Sequence, residues 1–398
     1  MKRLSSEKTI KLTIYSLLIV VGLFPLLSFI PLVFLLLFIV RFNEGEFIIK
    51  DIMSRKELIL LTISMIASSI VSELWYISIF FTILFIMKMV FIILVGRYIK
   101  EKDMNEVIII ILGLGFIVSI IGLIQFITGI GGMPDSWIDQ GTYTINFRVF
   151  STFYNPNILS AFLNLVIITG FTVTIYLENN RLKIYSYATV AIALTSLLLT
   201  YSRGGWISLC IALGIASLYE KSYIKYTFIV VMALVCFDYF TEAGRLSANK
   251  LLTDSSISYR LEVWKASVKI IKENILLGIG KGTSWYEIHT YSDKITWYVS
   301  HAHNLYLQIL VEGGVIGLGA YVYLSRLIWK KIKLEAFNNT SNRNIISTIS
   351  FIFFVSLLIY GIVDAVPLLE QIDVFIWLLV GINLGNKAPH MNMKSAEV

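Results

Sequence analysis

Uninterrupted apolar runs of near 20 residues recur along this whole chain, about the length a helix needs to cross a roughly 30 Å hydrocarbon layer. Inside such a layer every backbone N–H and C=O must find its partner within the protein, so the runs are expected to be helices. Of 398 residues, 57% are hydrophobic and only 15% charged, with a mean hydropathy of +0.78. Soluble domains carry about 25% charged residues, and no soluble domain of ordinary size can be cut from this sequence. The expected fold class is all-α: a polytopic transmembrane helical bundle of about 12 spans, forming a single integral membrane domain over 1–398.

Lys11 to Arg41 encloses no charge, and one helix of about 30 residues would be about 45 Å long, too long for an upright span. Pro25 and Pro31 are read as a break, giving spans near 12–24 and 27–41. Further spans are placed at 57–73, 75–97, 105–130, 157–177, 183–201, 204–220, 223–240, 303–329, 344–363 and 366–385, leaving 241–302 as a large outer loop. The opening MKRLSSEKTIK runs into apolar sequence without a small-residue cleavage site, which favours a retained first span. Cys210 and Cys236 lie in separate apolar runs and offer neither a disulfide framework nor a thiolate metal site.

A net charge of +7 can signal nucleic acid, but on a membrane protein basic residues more often fix orientation. With both termini inside, the inner segments hold Lys2, Arg3, Lys8 and Lys11, then Arg41 to Lys56, Arg97 to Lys102, Arg181 and Lys183, Lys221 and Lys225, Arg326 to Arg343, and Lys387 and Lys394. The outer exceptions are Arg148, Arg203 and the basic residues between Arg245 and Lys294. Long translocated loops escape the bias, which can account for the last group. Arg148 and Arg203 stand near helix ends, where a functional reason is expected. Lys88 falls inside a span, a position costing about 3 kcal/mol unless the charge is paired or snorkels. It lies nearer the inner end, so snorkelling is expected. Asp364 and Glu370 flank the last outer turn and can counter the outer arginines, with no role assigned.

Three polar patches stand out against this background: Asn146–Asn157, Tyr201–Trp206 and the longer Ser258–Gly314, which holds several motifs. In Tyr201-Ser-Arg-Gly-Gly-Trp206 the glycines permit a tight turn with accessible amides, and Arg203 offers a planar fork suited to phosphate; alternatively Tyr201 and Trp206 are interfacial anchors. Ser258–Asn274 mixes Leu261, Val263, Trp264, Val268, Ile270 and Ile271 with Arg260, Lys265, Lys269 and Lys272, the pattern of an amphipathic helix on the outer face. Its lysines can serve membrane docking alone, whereas Arg260 is placed to bind an anion. Gly278-Ile-Gly-Lys-Gly-Thr283 lacks phosphate-loop spacing and is read as a flexible loop. His301-Ala-His303-Asn304 precedes the tenth span, where an imidazole can take a proton from a hydroxyl or simply cap the helix; no metal is expected, because no partner ligand is evident. Arg148 to Asn157 adds an arginine and ends in Asn155-Pro156-Asn157, a helix start with Asn155 as cap.

Together, Asn-Pro-Asn before the sixth span, SRGGW, SYRxxxW, GxGxG and HAHNxYLQxLVExGxxG, in a frame of about twelve spans with one large outer loop, resemble the O-antigen ligase and O-antigen polymerase-like family of bacterial membrane glycosyltransferases. The motif resemblance covers the chain from about Arg148 onward. It implies transfer of a glycan from an undecaprenyl-pyrophosphate carrier to an acceptor hydroxyl, on the outer face of the plasma (inner) membrane, with no nucleotide sugar, metal or cofactor. By the same resemblance Arg203 and Arg260 hold the pyrophosphate and His303 activates the acceptor. Arg148, Asn157, Tyr259, His301 and Asn304 are expected to contribute to substrate binding. Implied partners are the lipid-linked donor, a glycan or lipid acceptor, the membrane and polysaccharide assembly proteins, with no nucleic acid. The Ile- and Lys-rich composition hints at an AT-rich genome and favours a surface-polysaccharide polymerase, with an O-antigen-type ligase as the close alternative. A lipid-linked glycan transporter would instead place its polar groups near mid-membrane.

Overall fold

The computed structural model describes residues 2–385 apart from 42–44, 133, 135–136, 138–141, 144, 242, 296–298 and 339–341, with side chains described except at 2–6, 29, 248, 251–252 and 342–343. Lys387 and Lys394, expected at the inner face, fall outside the described residues. Among those residues there is no strand. The helices are α1 (Lys2–Leu23), α2 (Phe29–Arg41), α3 (Gly45–Ser54), α4 (Lys56–Val71), α5 (Trp75–Tyr98), α6 (Met104–Thr128), α7 (Pro156–Tyr176), α8 (Asn180–Leu199), α9 (Arg203–Ser217), α10 (Tyr223–Phe240), α11 (Ala248–Thr253), α12 (Ser255–Glu273), α13 (Ser284–Thr290), α14 (Leu305–Glu335), α15 (Asn342–Tyr360) and α16 (Glu370–Leu384). Each of the twelve expected spans falls on a helix, and α5, α6, α7, α8, α10 and α14 are individually long and apolar enough to cross a membrane. The protein is a multi-pass helical membrane protein.

Pro25 breaks the first apolar run as expected: α1 stops at Leu23 and a 3-10 turn begins on the proline, while Pro31 is tolerated in the first turn of α2. Residues 45–54, read from sequence as part of a loop, form α3. The centre of the bundle is α7, 94% buried along its apolar window and surrounded by α6, α8, α9 and α15. Small residues let these helices close up: a Cβ on Gly115 would lie 2.3 Å from Val166, and one on Gly170 2.3 Å from Val190. Asn164, midway along α7, donates to Gly205 O (3.0 Å) on α9 and to Ser356 Oγ (3.2 Å) on α15. On α10, Tyr223, Tyr226, Val230 and Leu234 form a buried stripe at helical spacing. Ile224, Phe228, Ile229, Met232 and Val235 are exposed on the same helix, an arrangement suited to lipid rather than water.

Two expectations are corrected. Lys88 does not snorkel: its side chain is 8% exposed, and Nζ donates to Asp373 Oδ2 on α16 (2.5 Å) with Glu370 Oε1 at 3.8 Å. A helix facing acidic residues makes pairing available, so the charge need not reach the interface. The segment 278–282 is not a flexible loop. Gly314 breaks α14 (φ 59°, ψ −165°), and the freed backbone groups bond to the incoming chain: Val315 N and Ile316 N donate to Ile275 O and Leu276 O (2.9 and 3.2 Å), while Ile279 N and Gly280 N donate to Val311 O and Glu312 O (2.9 and 3.1 Å). A Cβ on Gly314 would sit 2.3 Å from Leu276 O, so only glycine fits.

Above this junction the segment between α10 and α14 has a small core of its own, in which Val263, Ala266 and Ile270 of α12 meet Ile279, Ile288 and Val311. These α12 positions repeat every three to four residues, as the sequence pattern required.

Candidate active site

Three loops supply the site, and each carries backbone that side-chained residues avoid. Among the described residues, four of the five non-glycine positions with positive φ are Ser151, Tyr154, Tyr201 and His303, all on the patches singled out above. Left-handed backbone costs roughly 1–2 kcal/mol per residue and persists where the surroundings impose it, as functional sites often do.

The first loop leads into α7, where Pro156 occupies the first helical position and Asn155 Oδ1 accepts from Asn157 N (2.7 Å), the expected cap. Asn157 does more. Its Oδ1 accepts from Arg148 Nη2 (3.1 Å) and Ser202 Oγ (3.0 Å), and its Nδ2 donates to Asp364 Oδ2 (2.8 Å), so one amide ties three loops together. Arg148 is buried, with Nε donating to Thr200 O (2.8 Å) and Nη1 to Trp137 O (3.0 Å).

The second loop ends at α9. Gly204 and Gly205 are helical rather than a tight turn: a Cβ would meet Tyr360 at 2.4 Å and Ser160 at 2.5 Å, so their smallness lets α9 press against α15 and α7. Trp206 is fully buried, with Nε1 donating to Leu197 O (2.9 Å), and is not an interfacial anchor. Arg203 opens α9; its Nη2 donates to Asp254 Oδ2 (2.5 Å) and its Nη1 to Tyr143 Oη (2.9 Å). Asp254 also caps α12, accepting from Ser256 N (2.8 Å), and receives Tyr143 Oη at 2.9 Å. Arg245 lies over the Tyr143 ring (4.5 Å), donates from Nη2 to Tyr201 O (3.0 Å) and has Nη1 3.8 Å from Asp254.

The third loop holds the histidines. Arg260 and Trp264 are four apart on α12 and share a face, and Trp264 Nε1 donates to His303 O (3.2 Å), which places Arg260 beside the same turn. Arg260 has no hydrogen-bonding or ion-pair partner among the described residues, and its charge is felt at Arg148, His301 and Asp364. Asp364, 2% exposed, has Oδ1 3.5 Å from His303 Nδ1 and 3.7 Å from His301 Nε2. Tyr259 is part-buried against the outer core, and Asn304 caps α14, accepting from Tyr306 N and Leu307 N (both 2.9 Å) while donating to Ile362 O (2.8 Å).

Electrostatics define what the site can hold. Four guanidinium groups, Arg148, Arg203, Arg245 and Arg260, are gathered around two buried carboxylates, Asp254 and Asp364. Burial and then the neighbouring arginines draw Arg148 down to about 9 and Arg245 to about 10, values that leave both charged at neutral pH. Burial alone would raise Asp364, but His303, His301 and Arg260 overcome it and hold the carboxyl well below its usual range. The cluster carries excess positive charge in a poorly solvated place, the condition for binding a polyanion.

The ring states follow from geometry. His301 Nδ1 accepts from His303 N (3.2 Å), and burial, with His303 adding, pulls His301 down to about 4. It is therefore neutral at pH 7 with its proton on Nε2, the atom facing Asp364. The atoms of His301, His303 and Asp364 lie within 4.8 Å of one another, close enough for a metal. However, the His301 nitrogen in that group carries a hydrogen rather than a lone pair, so the set is one ligand short. His303 Nδ1 lies 3.5 Å from Asp364 Oδ1 and makes no hydrogen bond there; a proton on Nδ1 facing that carboxylate is favoured by the charge and would leave the lone pair on Nε2.

Sequence reading missed Asp254, Tyr143 and Arg245, and gave Asp364 no role. Asp254 had a signal, an aspartate immediately before a helical pattern; Asp364, next to an outer turn among uncharged spans, had only its oddity.

Fold and site define a multi-pass membrane protein with a buried cluster of arginines beside two histidines. Residues 188–322 match the sequence model of the family described as O-antigen ligase, and that part of the chain is similar to it. That interval contains Arg203, Arg245, Asp254, Arg260 and both histidines. A Rickettsia conorii protein whose name gives it provisionally as a polysaccharide ligase is 31% identical over 148 residues, 35% of this chain and 34% of that protein. The match thus spans about a third of the relative's length.

Proposed function

We propose that the protein transfers a glycan from an undecaprenyl-pyrophosphate carrier to an acceptor hydroxyl at the extracytoplasmic end of the bundle. The observation that carries the reading is the gathering of four arginines about two buried carboxylates, one of which lies 3.5 Å from His303 Nδ1. His303 Nε2 takes the acceptor proton as the hydroxyl oxygen bonds to the anomeric carbon. The carbon–oxygen bond to pyrophosphate breaks, and the leaving group departs with the electron pair. Arg203 and Arg260 meet its growing charge, and Arg148 and Arg245 support the field, each fixed donor counting for more where water is scarce. Direct displacement inverts the anomeric centre; among the described residues the two site carboxylates are committed to arginine and histidine, which argues against a glycosyl-enzyme. The protonated His301 Nε2 supports a metal-independent reaction. The distribution of basic residues supports cytoplasmic termini and an outer-facing site.

Composition favours a second carrier-linked glycan as acceptor, which makes the protein a polymerase of a surface polysaccharide; the name of the Rickettsia conorii protein favours the ligase alternative. Purified protein given undecaprenyl-pyrophosphate-linked repeat units alone decides between them. Longer carrier-linked chains mean polymerase. Transfer only on adding a lipid or protein acceptor means ligase, and no transfer in either case removes the proposal.

A further inference from the structure

We infer that Gln308 and Glu312, one turn apart on the outer stretch of α14, are positioning residues that hold the His301–His303 turn in its working shape. The inference rests on the reading of His303 as the base. Ala302, between the two imidazoles, donates its amide to Gln308 Oε1 at 2.7 Å. Gln308 Nε2 donates to Ser284 Oγ (2.9 Å) and Glu312 Oε1 (2.8 Å), so both of its protons are used. Glu312 Oε1 also accepts from Gly282 N (2.8 Å), and its Oε2 lies 3.7 Å from Lys281 Nζ. Gln308 is 4% and Glu312 8% exposed.

This arrangement can be made in one sense only. If the Gln308 amide were turned over, an NH2 would face the Ala302 amide and an oxygen would face the Glu312 carboxylate. The carboxylate therefore dictates the amide orientation, and the amide dictates the upstream limb of the histidine turn. Downstream, Leu305 N donates to Gly361 O (2.7 Å) and Asn304 Nδ2 to Ile362 O (2.8 Å). Between these clamps His303 takes φ 47°, backbone it would not hold unaided. Releasing the upstream clamp leaves substrate affinity to the arginines and lets the imidazole drift, and about 1 Å of drift costs about 100-fold in rate.

The test uses the full chain in nanodiscs with undecaprenyl-pyrophosphate-linked repeat units as probe, reading turnover, KM and thermal midpoint. Gln308→Leu is expected to lower kcat about 30- to 100-fold with KM within about twofold. Gln308→Glu sets two carboxylates against each other, so its activity relative to wild type rises as pH falls and one of them takes up a proton. The exchange Gln308→Glu with Glu312→Gln restores the run of bonds from Ala302 N–H through position 308 to position 312, with the Ser284 hydroxyl turning to donate to the new carboxylate, and is expected to return kcat to within about fivefold of wild type. Wild-type kcat in Gln308→Leu overturns the inference, as does a loss of kcat that tracks a fall in thermal midpoint and is not recovered by the exchange. His303→Ala separates the two layers: wild-type turnover in that variant sinks the base assignment itself, whereas loss there with an indifferent Gln308 sinks only the positioning role.

Discussion

Two clusters of charge lie in this bundle, and they differ in balance. Around Lys88 and Lys281, three acidic groups, Asp373, Glu370 and Glu312, accompany two lysines, and each lysine lies within 4 Å of a carboxylate. Around Asp254 and Asp364, two buried acids stand among four arginines, of which only Arg203 and Arg245 lie within 4 Å of a carboxylate among the described residues. Both clusters are costly to bury. The first pairs each lysine with a carboxylate inside the fold, whereas the second has positive charge to spare, which an anion would complete under the proposed function. Charge balance, more than burial, separates structural ions from a binding site here.

The contrast breaks if neutralising the arginine cluster leaves transfer intact. Arg203→Ala, Arg260→Ala and His303→Ala are each expected to reduce glycan transfer about 10²- to 10³-fold or more, with normal insertion, measured as product per folded molecule. A smaller loss, about 100-fold, is expected for Asp364→Asn, because an amide facing His303 Nδ1 favours the tautomer that puts the proton on Nε2; unchanged KM with reduced kcat is the signature. The lysine cluster should behave oppositely. Lys88→Met leaves Asp373 buried and unpaired, an expected cost of about 3–5 kcal/mol in thermal or denaturant unfolding, and Lys88→Met with Asp373→Leu recovers most of it; activity per folded molecule stays near wild type in both. The smallest effect is with pH. His301 has a folded value of about 4 against an ordinary 6.5, so the folded state binds fewer protons between those limits. Its contribution is complete above 6.5 and is lost as pH falls through 4. The thermal midpoint should decline across that window, and His301→Gln should flatten the slope.

Much of this was readable in the residues. Hydropathy placed twelve helical segments, and the two outlying arginines and the histidine pair near helix ends marked the three loops. What could not be read was pairing across the bundle. Lys88 and Asp373 are 285 positions apart, and no periodicity brings them together. Gly204 and Gly205 suggested a turn because glycine is permissive, yet the constraint is the Tyr360 ring approaching from α15. Asn157 announced itself only as part of a helix start, while its larger role, joining Arg148, Ser202 and Asp364, depends on where three separate loops arrive.

The interruption of α14 at Gly314 makes the segment between α10 and α14 and the helix that follows it one mechanical piece. Four main-chain bonds stitch 275–280 to 311–316, so the chain that follows α12 cannot swing without dragging the turn that precedes the membrane. Under the proposed function, a pull on Arg260 by an arriving lipid headgroup would be delivered to His303 through stiff backbone instead of being dissipated in slack.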